Sequence, residues 1–226
     1  MLSLLNFRPR LVGRHGLKAC LYHPHPTVSK LTALGASDKE EKMAKVKLGP
    51  QTLLYPMPAV LVGAIVDEKP NFMTAAWCAI ASYGPPAVSV AIRKQRHTLK
   101  GIRDHGTFSI NVPSTNLAKK VDYCGLYSGK SRDKSKTFTA FRGELKTAPL
   151  IEECPLNLEC KVLHYLELGT HTLVVGQIIE TFINENCLVD DKADALKVDP
   201  IIFSPGTTKY HRIGDEIGPA FNLGKQ

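Results

Sequence analysis

The sequence predicts a mostly β domain, a small closed or partly closed antiparallel barrel with a few short helices. Apolar runs separated by turn residues suggest strands, and neither a βαβ alternation nor an internal repeat is found. The leucine-rich and β-branched content of these runs favours strand over helix. The predicted strands are residues 59–66, 72–80, 87–93, 107–112, 156–167 and 172–183, with a turn at 67–71 after the first.

Two short helices are predicted between the strands. Thr98 is suited to cap a helix over 98–104, because a hydroxyl at a helix start can accept from a free backbone N–H. Ser114 or Thr115 is suited to cap a second helix that reaches residue 123. In both cases a glycine follows the predicted end, as is common at helix C-termini.

The composition is that of an ordinary globular chain. The 226 residues are 43% hydrophobic and 22% charged, and no apolar run is long enough for a membrane-spanning helix. The net charge is +8, and residues 1–42 hold half of that excess, with seven Lys or Arg against three Asp or Glu. A mildly basic domain does not by itself indicate a nucleic acid partner, and neither a nucleic acid nor a membrane partner is expected.

Residues 1–42 differ from the remainder and are predicted to be a leader outside the fold. They hold no acid before Asp38, contain His23-Pro-His-Pro26, and show no sustained apolar period. A mitochondrial-type transit segment and a start-site or artificial extension are both compatible with this composition, whereas a secretory signal fits worst. A coherent domain is predicted over 43–226. A cytoplasmic location is expected, with organellar targeting by the leader left open.

Six cysteines, at positions 20, 78, 124, 154, 160 and 187, form no Cys-x-x-Cys pair and no zinc-like cluster. Reduced and mostly buried thiols in an intracellular chain are the favoured interpretation. A disulfide between Cys154 and Cys160 is conceivable but not favoured, and no structural metal is expected.

The stretch from Asn71 to Thr98 combines two features that suit a nucleotide-like ligand. The small residues of Asn71-Phe-Met-Thr-Ala-Ala-Trp77 let a backbone edge approach a planar ring closely. The cations of Arg93-Lys-Gln-Arg-His-Thr98 follow a strand and precede a helix, where charged side chains and free N–H groups can bind phosphate. Together the two halves suggest a flavin nucleotide. The competing interpretations are a small-residue strand under a helix and a solvated basic turn.

Several motifs, in a consistent order, resemble the flavin reductase-like family, the FMN-binding split barrels, and most closely its flavoredoxin-type branch. The resemblance covers about residues 50–215. It rests on Pro56-Met-Pro58, Asn71–Trp77, Pro85-Pro86, Ser89–Thr98, Phe108-Ser-Ile-Asn-Val-Pro-Ser114, Asp122-Tyr-Cys-Gly125, Ser128-Gly-Lys-Ser-Arg-Asp-Lys134, Ala148–Cys160 and Leu168-Gly-Thr-His171. Residues 1–42 have no counterpart in that pattern.

The resemblance implies an FMN-binding split β-barrel, a homodimer that completes the flavin pocket between subunits, and chemistry carried by FMN rather than by a catalytic side chain. It implies a set of cofactor-binding residues: Thr74, Ala75, Ala76, Ser89, Arg93, Lys94, Thr98, Asn111, Ser128, Gly129, Lys134 and His171. Thr74, Ala75 and Ala76 would lie beside the ring, and Arg93 and Lys94 would hold the phosphate or ribityl region.

Alternatives remain open at several of these positions. Strand alternation predicts that Arg93 faces opposite to Lys94 and Arg96, so that not all of them reach one phosphate. Trp77 stays undecided between ring stacking and a core or dimer-interface role. His171 could face the flavin or a nicotinamide, or simply occupy a turn.

The predicted function is that of an FMN-dependent oxidoreductase to which NADH or NADPH delivers a hydride. The alternatives are a flavoredoxin-like electron carrier that exchanges electrons with a redox protein partner, and a non-catalytic flavin-binding or heme-related module. No hydrolase elbow, His-Glu-x-x-His helix, P-loop or Rossmann glycine motif competes with this hypothesis.

Overall fold

The computed structural model describes residues 44–225 of the chain. The strands are β1 (Met57–Pro58), β2 (Val60–Val66), β3 (Lys69–Ala75), β4 (Cys78–Ser82), β5 (Ala87–Arg93), β6 (Thr107–Val112), β7 (Ala140–Phe141), β8 (Leu150–Ile151), β9 (Leu156–Leu168), β10 (His171–Ile183), β11 (Leu188–Val189), β12 (Lys192–Ala193), β13 (Ile202–Ser204) and β14 (Lys209–His211). The helices are α1 (His97–His105), α2 (Ala118–Leu126) and α3 (Ala195–Val198), with 3₁₀ turns at Thr115–Leu117 and Glu185–Cys187.

Seven strands form one antiparallel sheet in the order β3-β2-β6-β9-β10-β5-β4. The mostly β fold class is therefore confirmed. Within residues 44–225 no backbone ladder joins the two end strands, β3 and β4, so hydrogen bonds do not close the sheet into a ring. A second small sheet, β1-β13-β14, brings the C-terminal strands back to the start of the fold.

Strand β2 separates two hydrophobic clusters, which explains its continuous apolar sequence. All seven of its residues are buried. Val60, Val62 and Ala64 pack into the cluster inside the curved sheet, together with α1. Leu61 packs on the opposite face, against Val121 of α2 and the β7–β8 region. A strand buried on both faces needs no polar alternation.

Helix α1 lies directly on β2 because Gly101 has no side chain. A Cβ at this position would collide with the backbone carbonyl of Ile65. The close approach fixes the start of α1, at Arg96 and His97, beside the end of β5. Arg96, His97 and the N-terminus of the helix are thereby brought to one end of the sheet.

The strands predicted at 59–66, 87–93, 107–112, 156–167 and 172–183 are confirmed to within about one residue at most ends. The single strand predicted at 72–80 is wrong, because the chain breaks at Ala76 and Trp77 and passes from β3 to β4, at opposite ends of the sheet order. The turn at 67–71 is shorter than predicted. Asp67 and Glu68 both adopt positive φ, 47° and 64°, and form a two-residue turn that matches strand twist.

The predicted helices are confirmed but their caps are not. Helix α1 begins one residue before Thr98, with Arg96 as N-cap, and no side chain caps it. Ser114 precedes the 3₁₀ turn at Thr115–Leu117, yet its hydroxyl donates to Asn116 Oδ1 at 2.7 Å rather than capping the backbone. Local sequence favours a hydroxyl cap, but the Thr98 hydroxyl is bonded to Asn71 and the Ser114 hydroxyl to the nearby Asn116 side chain instead.

The predicted leader, residues 1–42, lies outside the described residues. No helix within 44–225 is both long enough and apolar enough to cross a membrane.

Five cysteines in this part of the chain are free thiols: Cys78, Cys124, Cys154, Cys160 and Cys187. Burial raises the pKa of Cys78 to about 12 and that of Cys124 to about 11, so neither thiol is a reactive thiolate at neutral pH.

Candidate functional site

The candidate site is a cavity of about 440 Å³ at the point where β3 ends and the chain turns towards β4. We call it the central cavity. Its volume lies in the usual range for small-molecule sites, roughly 300–1,000 Å³. The lining residues are Thr52, Ala59, Met73, Thr74, Ala75, Ala76, Trp77, Ala91, Arg93, Arg96, Gly125, His171, Phe203, Pro205 and Tyr210. No carboxylate is among them.

The backbone of Thr74 supplies polar groups at one edge of the cavity. Strand β3 is an edge strand, and the carbonyl of Phe72 accepts from Lys134 Nζ at 2.8 Å outside the sheet ladder. Because backbone groups alternate in direction, the N–H and C=O of Thr74 face that same outer side. The hydroxyl of Thr74 donates to the Val121 carbonyl of α2, which fixes its side chain. A free strand edge with small neighbours can bond the polar rim of a flat ligand.

Two arginines give the central cavity its charge. Strand β5 ends at Arg93, and Arg96 N–H donates back to the Arg93 carbonyl at 2.9 Å, so the chain turns and both side chains reach the cavity. Arg96 Nη1 also donates to the Gly125 carbonyl at 2.9 Å. Burial, and then the charge of Arg93, lower the pKa of Arg96. An anionic ligand would relieve this unfavourable pairing of two cations.

The expected opposition of Arg93 and Arg96 is wrong, because strand alternation does not extend through the turn after Arg93. Lys94 is the residue that points elsewhere. Its Nζ pairs with Glu167 Oε2 at 3.2 Å, and it is absent from the cavity lining. The structure therefore brings together Arg93 and Arg96, rather than Arg93 and Lys94.

Trp77 and His171 form a stacked pair on the cavity wall. Their ring centroids are 4.7 Å apart, with an interplanar angle of 29°. His171 Nδ1 and Thr170 Oγ1 are 2.8 Å apart, which anchors the imidazole at the β9–β10 turn. Burial, and then Arg93, lower the pKa of His171, which keeps the ring neutral near pH 7. Trp77, undecided from sequence, is a flat apolar surface at the site.

Three predicted residues lie outside the central cavity for structural reasons. Thr98 is buried and its Oγ1 accepts from Asn71 Nδ2 at 2.7 Å. Asn111 is fully buried within β6, where its amide makes three hydrogen bonds to other strands and one to Ser109 of its own strand. Ser89 donates to the Ala79 carbonyl at 3.3 Å. It lines an adjoining apolar cavity of about 500 Å³, which shares Trp77 and Ala91 with the central cavity.

The segment 128–134 surrounds a second cavity of about 350 Å³, beside the start of α1. Gly129 and Lys134 line it, and a Cβ at Gly129 would collide with Asn71 and His97.

Lys134 is 3% exposed and its Nζ donates to the carbonyls of Phe72, at 2.8 Å, and Cys124, at 3.1 Å. Ser128 Oγ accepts from the backbone N–H of Lys130 at 3.2 Å, which shapes the loop. The flavin-contact role of Ser128, Gly129 and Lys134 stays a prediction.

His97 makes the stability of this region depend on pH. Its Nδ1 is buried and has no hydrogen-bond partner among residues 44–225, and burial, only partly opposed by Asp67, lowers its pKa from 6.5. Unfolded His97 therefore binds a proton at a pH where the folded form does not, and we expect the free energy of unfolding to fall as pH drops below about 6.5. One such group contributes a slope of at most about 1.4 kcal/mol per pH unit.

Urea denaturation of the parent and of His97→Gln at pH 7.5 and pH 5.5 checks this. The variant should lose less stability on acidification than the parent does. An identical loss in both proteins would show that other groups, such as His171, cause the whole effect.

Sequence reasoning missed the C-terminal contribution to the site. Phe203, Pro205 and Tyr210 come from β13, β14 and their connection, and Thr52 comes from the segment before β1. These residues are far from the Asn71–Thr98 stretch in sequence. No local pattern marks them, since only the pairing of β1 with β13 brings them to the cavity.

Comparison with known proteins places the chain in a family. Residues 52–204 match the family model described as flavin reductase like domain. The chain therefore belongs to the flavin reductase-like family.

Solved structures and a relative of named activity support this membership. The structure of flavoredoxin from Methanosarcina acetivorans is 42% identical, with a TM-score of 0.79, over 81% of this chain and 98% of that one. Flavoredoxin of Desulfovibrio vulgaris (Miyazaki F) is 40% identical, with a TM-score of 0.75, over 80% and 100%. A relative from Archaeoglobus fulgidus named ferric-chelate reductase (NAD(P)H) is 28% identical over 49% of this chain and 66% of its own length.

Proposed function

We propose that the protein is an FMN-binding oxidoreductase and that the central cavity holds the flavin. The observation that carries the proposal is the joint occurrence, in one 440 Å³ cavity, of a free strand edge at Thr74, a stacked Trp77–His171 wall and two arginines. A flavin mononucleotide has a flat polar-rimmed ring and a phosphate, and the lining offers a partner for each. The absence of carboxylates from the lining suits the phosphate charge.

The roles of the chain's own residues follow from their positions. Arg93 and Arg96 would hold the phosphate through charge-assisted hydrogen bonds. The backbone of Thr74, with small Ala75 and Ala76 beside it, would orient the ring edge. FMN held there would supply the redox chemistry, as a hydride acceptor and electron donor. No side chain needs to act as a strong acid or base.

Two versions of this function differ in what donates electrons to the flavin, a nicotinamide nucleotide or a redox protein. In the first, NADH or NADPH reduces the flavin directly, as the name of the Archaeoglobus relative, ferric-chelate reductase (NAD(P)H), suggests for that protein. In the second, the protein is a carrier that exchanges electrons with a redox protein. The identity of about 40% to two flavoredoxins favours this second candidate.

Stopped-flow reduction of the FMN-loaded protein distinguishes the two. Rapid bleaching of the flavin absorbance by either nicotinamide nucleotide supports the reductase. Bleaching only by a low-potential protein donor supports the carrier. Binding of FMN with no reduction by any donor would indicate a non-catalytic flavin-binding module.

We also propose that two copies of the chain pair through the outer face of β9, β10 and β5. Leu166, Leu173 and Ala91 stand in one row across these neighbouring strands, and Leu166 is 54% exposed. The adjoining 500 Å³ cavity is lined mainly by apolar side chains. An exposed apolar face of this kind is typical of a contact surface.

Sedimentation velocity of the parent and of Leu166→Glu tests this interface. A dimer that becomes a monomer in the variant is the expected result, because the new charge would be buried in the contact. A parent that sediments as a monomer at all concentrations would contradict the proposal.

A further inference from the structure

The hairpin of β13 and β14 forms part of the wall of the central cavity. Phe203, Pro205 and Tyr210 line the cavity from this hairpin, whereas the Thr74–Trp77 edge comes from the sheet. The family match ends at residue 204, so Pro205 and Tyr210 lie beyond the part of the chain that the family model covers. This portion of the wall therefore lies outside the family-model match, although the two flavoredoxin structures, which cover 80–81% of the chain, extend beyond that match.

Several contacts hold the hairpin against the body of the protein. Strand β13 pairs with β1, with Phe203 opposite Met57. Arg212, just after β14, pairs with Asp199 at 3.3 Å and donates to Thr115 Oγ1 at 2.7 Å. The N–H of Gly206 donates to Tyr55 Oη at 3.1 Å. A segment tied at both ends and at its tip can present a side chain in a fixed position.

Tyr210 is the residue of this wall with both an aromatic face and a polar anchor. Its ring packs near Phe203, with centroids 5.8 Å apart. Its hydroxyl donates to Asp122 Oδ1 of α2 at 3.1 Å. Burial, and then the bond to Asp122, raise the pKa of Tyr210 to about 12, so the phenol keeps its proton and the bond persists at physiological pH. The ring is thereby held at the cavity between α2 and β14.

We propose that Tyr210 is a flavin-contacting residue on the C-terminal wall of the cavity, and that Asp122 positions it. The inference rests on the proposed FMN site and adds a binding residue from a segment beyond the family-model match. The flat ring of Tyr210 offers an apolar face to a planar ligand, and such aromatic contacts contribute to binding beyond the area they bury. Asp122 does not line the cavity and acts only through the tyrosine hydroxyl.

Fluorescence titration of the apo-protein with FMN tests Tyr210, with apo-protein melting temperatures recorded for every variant. Tyr210→Ala should raise the Kd for FMN about tenfold, and Tyr210→Phe, which keeps the ring, by no more than about threefold. Tyr83→Ala is the matched control, because Tyr83 is 98% exposed and outside the cavity lining. If Tyr210→Ala fails to fold, Tyr210→Leu takes its place.

A rise of fivefold or more in the alanine or leucine variant supports the proposal, and a smaller rise overturns it. The titration also distinguishes failure of the proposed FMN-binding function from failure of the Tyr210 inference. A parent protein that binds no FMN refutes the proposed function and this inference together. A parent that binds FMN while Tyr210→Ala binds it equally well refutes only the inference.

A double-mutant cycle tests the positioning role of Asp122. Asp122→Ala should weaken FMN binding about threefold in the parent, and should have no further effect in the Tyr210→Phe background, where the hydroxyl is gone. Asp122→Asn, whose amide oxygen can still accept from the tyrosine, should restore parental binding. Equal effects of Asp122→Ala in both backgrounds would show that Asp122 does not act through Tyr210.

Discussion

Replacing both Arg93 and Arg96 by alanine should reduce the affinity for FMN by about 100-fold or more. Each arginine can make charge-assisted hydrogen bonds to the phosphate, worth roughly 1.5–3 kcal/mol per bond, and about 1.4 kcal/mol corresponds to a tenfold change in Kd. Both side chains line the same carboxylate-free cavity. Fluorescence titration of the apo-protein measures the change, and the double variant should purify without the yellow colour of bound flavin.

Lys94→Ala provides the matched control for this pair. Lys94 is adjacent in sequence and equally charged, but its Nζ is paired with Glu167 and does not line the central cavity. We expect its removal to leave the Kd for FMN within about threefold of the parent value, since exposed ion pairs contribute little. A loss of affinity in Lys94→Ala equal to that of the double variant would contradict the placement of the phosphate.

Replacing Asn111 by alanine should have the largest effect on stability, lowering the free energy of unfolding by about 3 kcal/mol or more. Its Nδ2 donates to the Leu61 carbonyl and to Ser109 Oγ, and its Oδ1 accepts from Ile151 N–H and Asn157 Nδ2, at 2.8–3.0 Å. The residue is 0% exposed, so its loss leaves buried polar groups unpaired at roughly 1–3 kcal/mol each.

Urea denaturation followed by circular dichroism measures this loss, with Asn116→Ala as the control. Asn116 is exposed, and its truncation should change stability by less than about 0.5 kcal/mol. The folded fraction of Asn111→Ala should bind FMN nearly as well as the parent. An undiminished stability with lost FMN binding would instead identify Asn111 as a ligand-contacting residue.

The sequence predicted strands best where burial gave them a clear apolar pattern, either continuous or alternating. β2 and β5 were located almost to the residue because β2 is covered on both faces and β5 alternates regularly. The break at Ala76 and Trp77 was missed because small and aromatic residues are compatible with a continuing strand. Only the sheet order shows that β3 and β4 lie at opposite ends.

Some predicted binding residues do line the central cavity, from the Asn71–Thr98 stretch and from the distant Leu168–His171 motif, but their contact with a flavin stays a prediction. Thr74–Ala76, Arg93 and His171 come together in the central cavity. The prediction that Arg96 faces opposite to Arg93 was wrong because it extended strand alternation past the end of β5. The chain turns there, and the Arg96 N–H bonds the Arg93 carbonyl. Tyr210 could not be found, since its place depends on the distant pairing of β13 with β1.

Calorimetric titration of the apo-protein with FMN and with riboflavin, which has the same ring but no phosphate, tests the central proposal most directly. We expect one FMN per chain with a Kd in the micromolar range or below, and riboflavin binding at least about tenfold weaker, because Arg93 and Arg96 then lack their anionic partner. A protein that takes up no FMN, or that binds riboflavin as tightly as FMN, would contradict a flavin held in the central cavity by these two arginines.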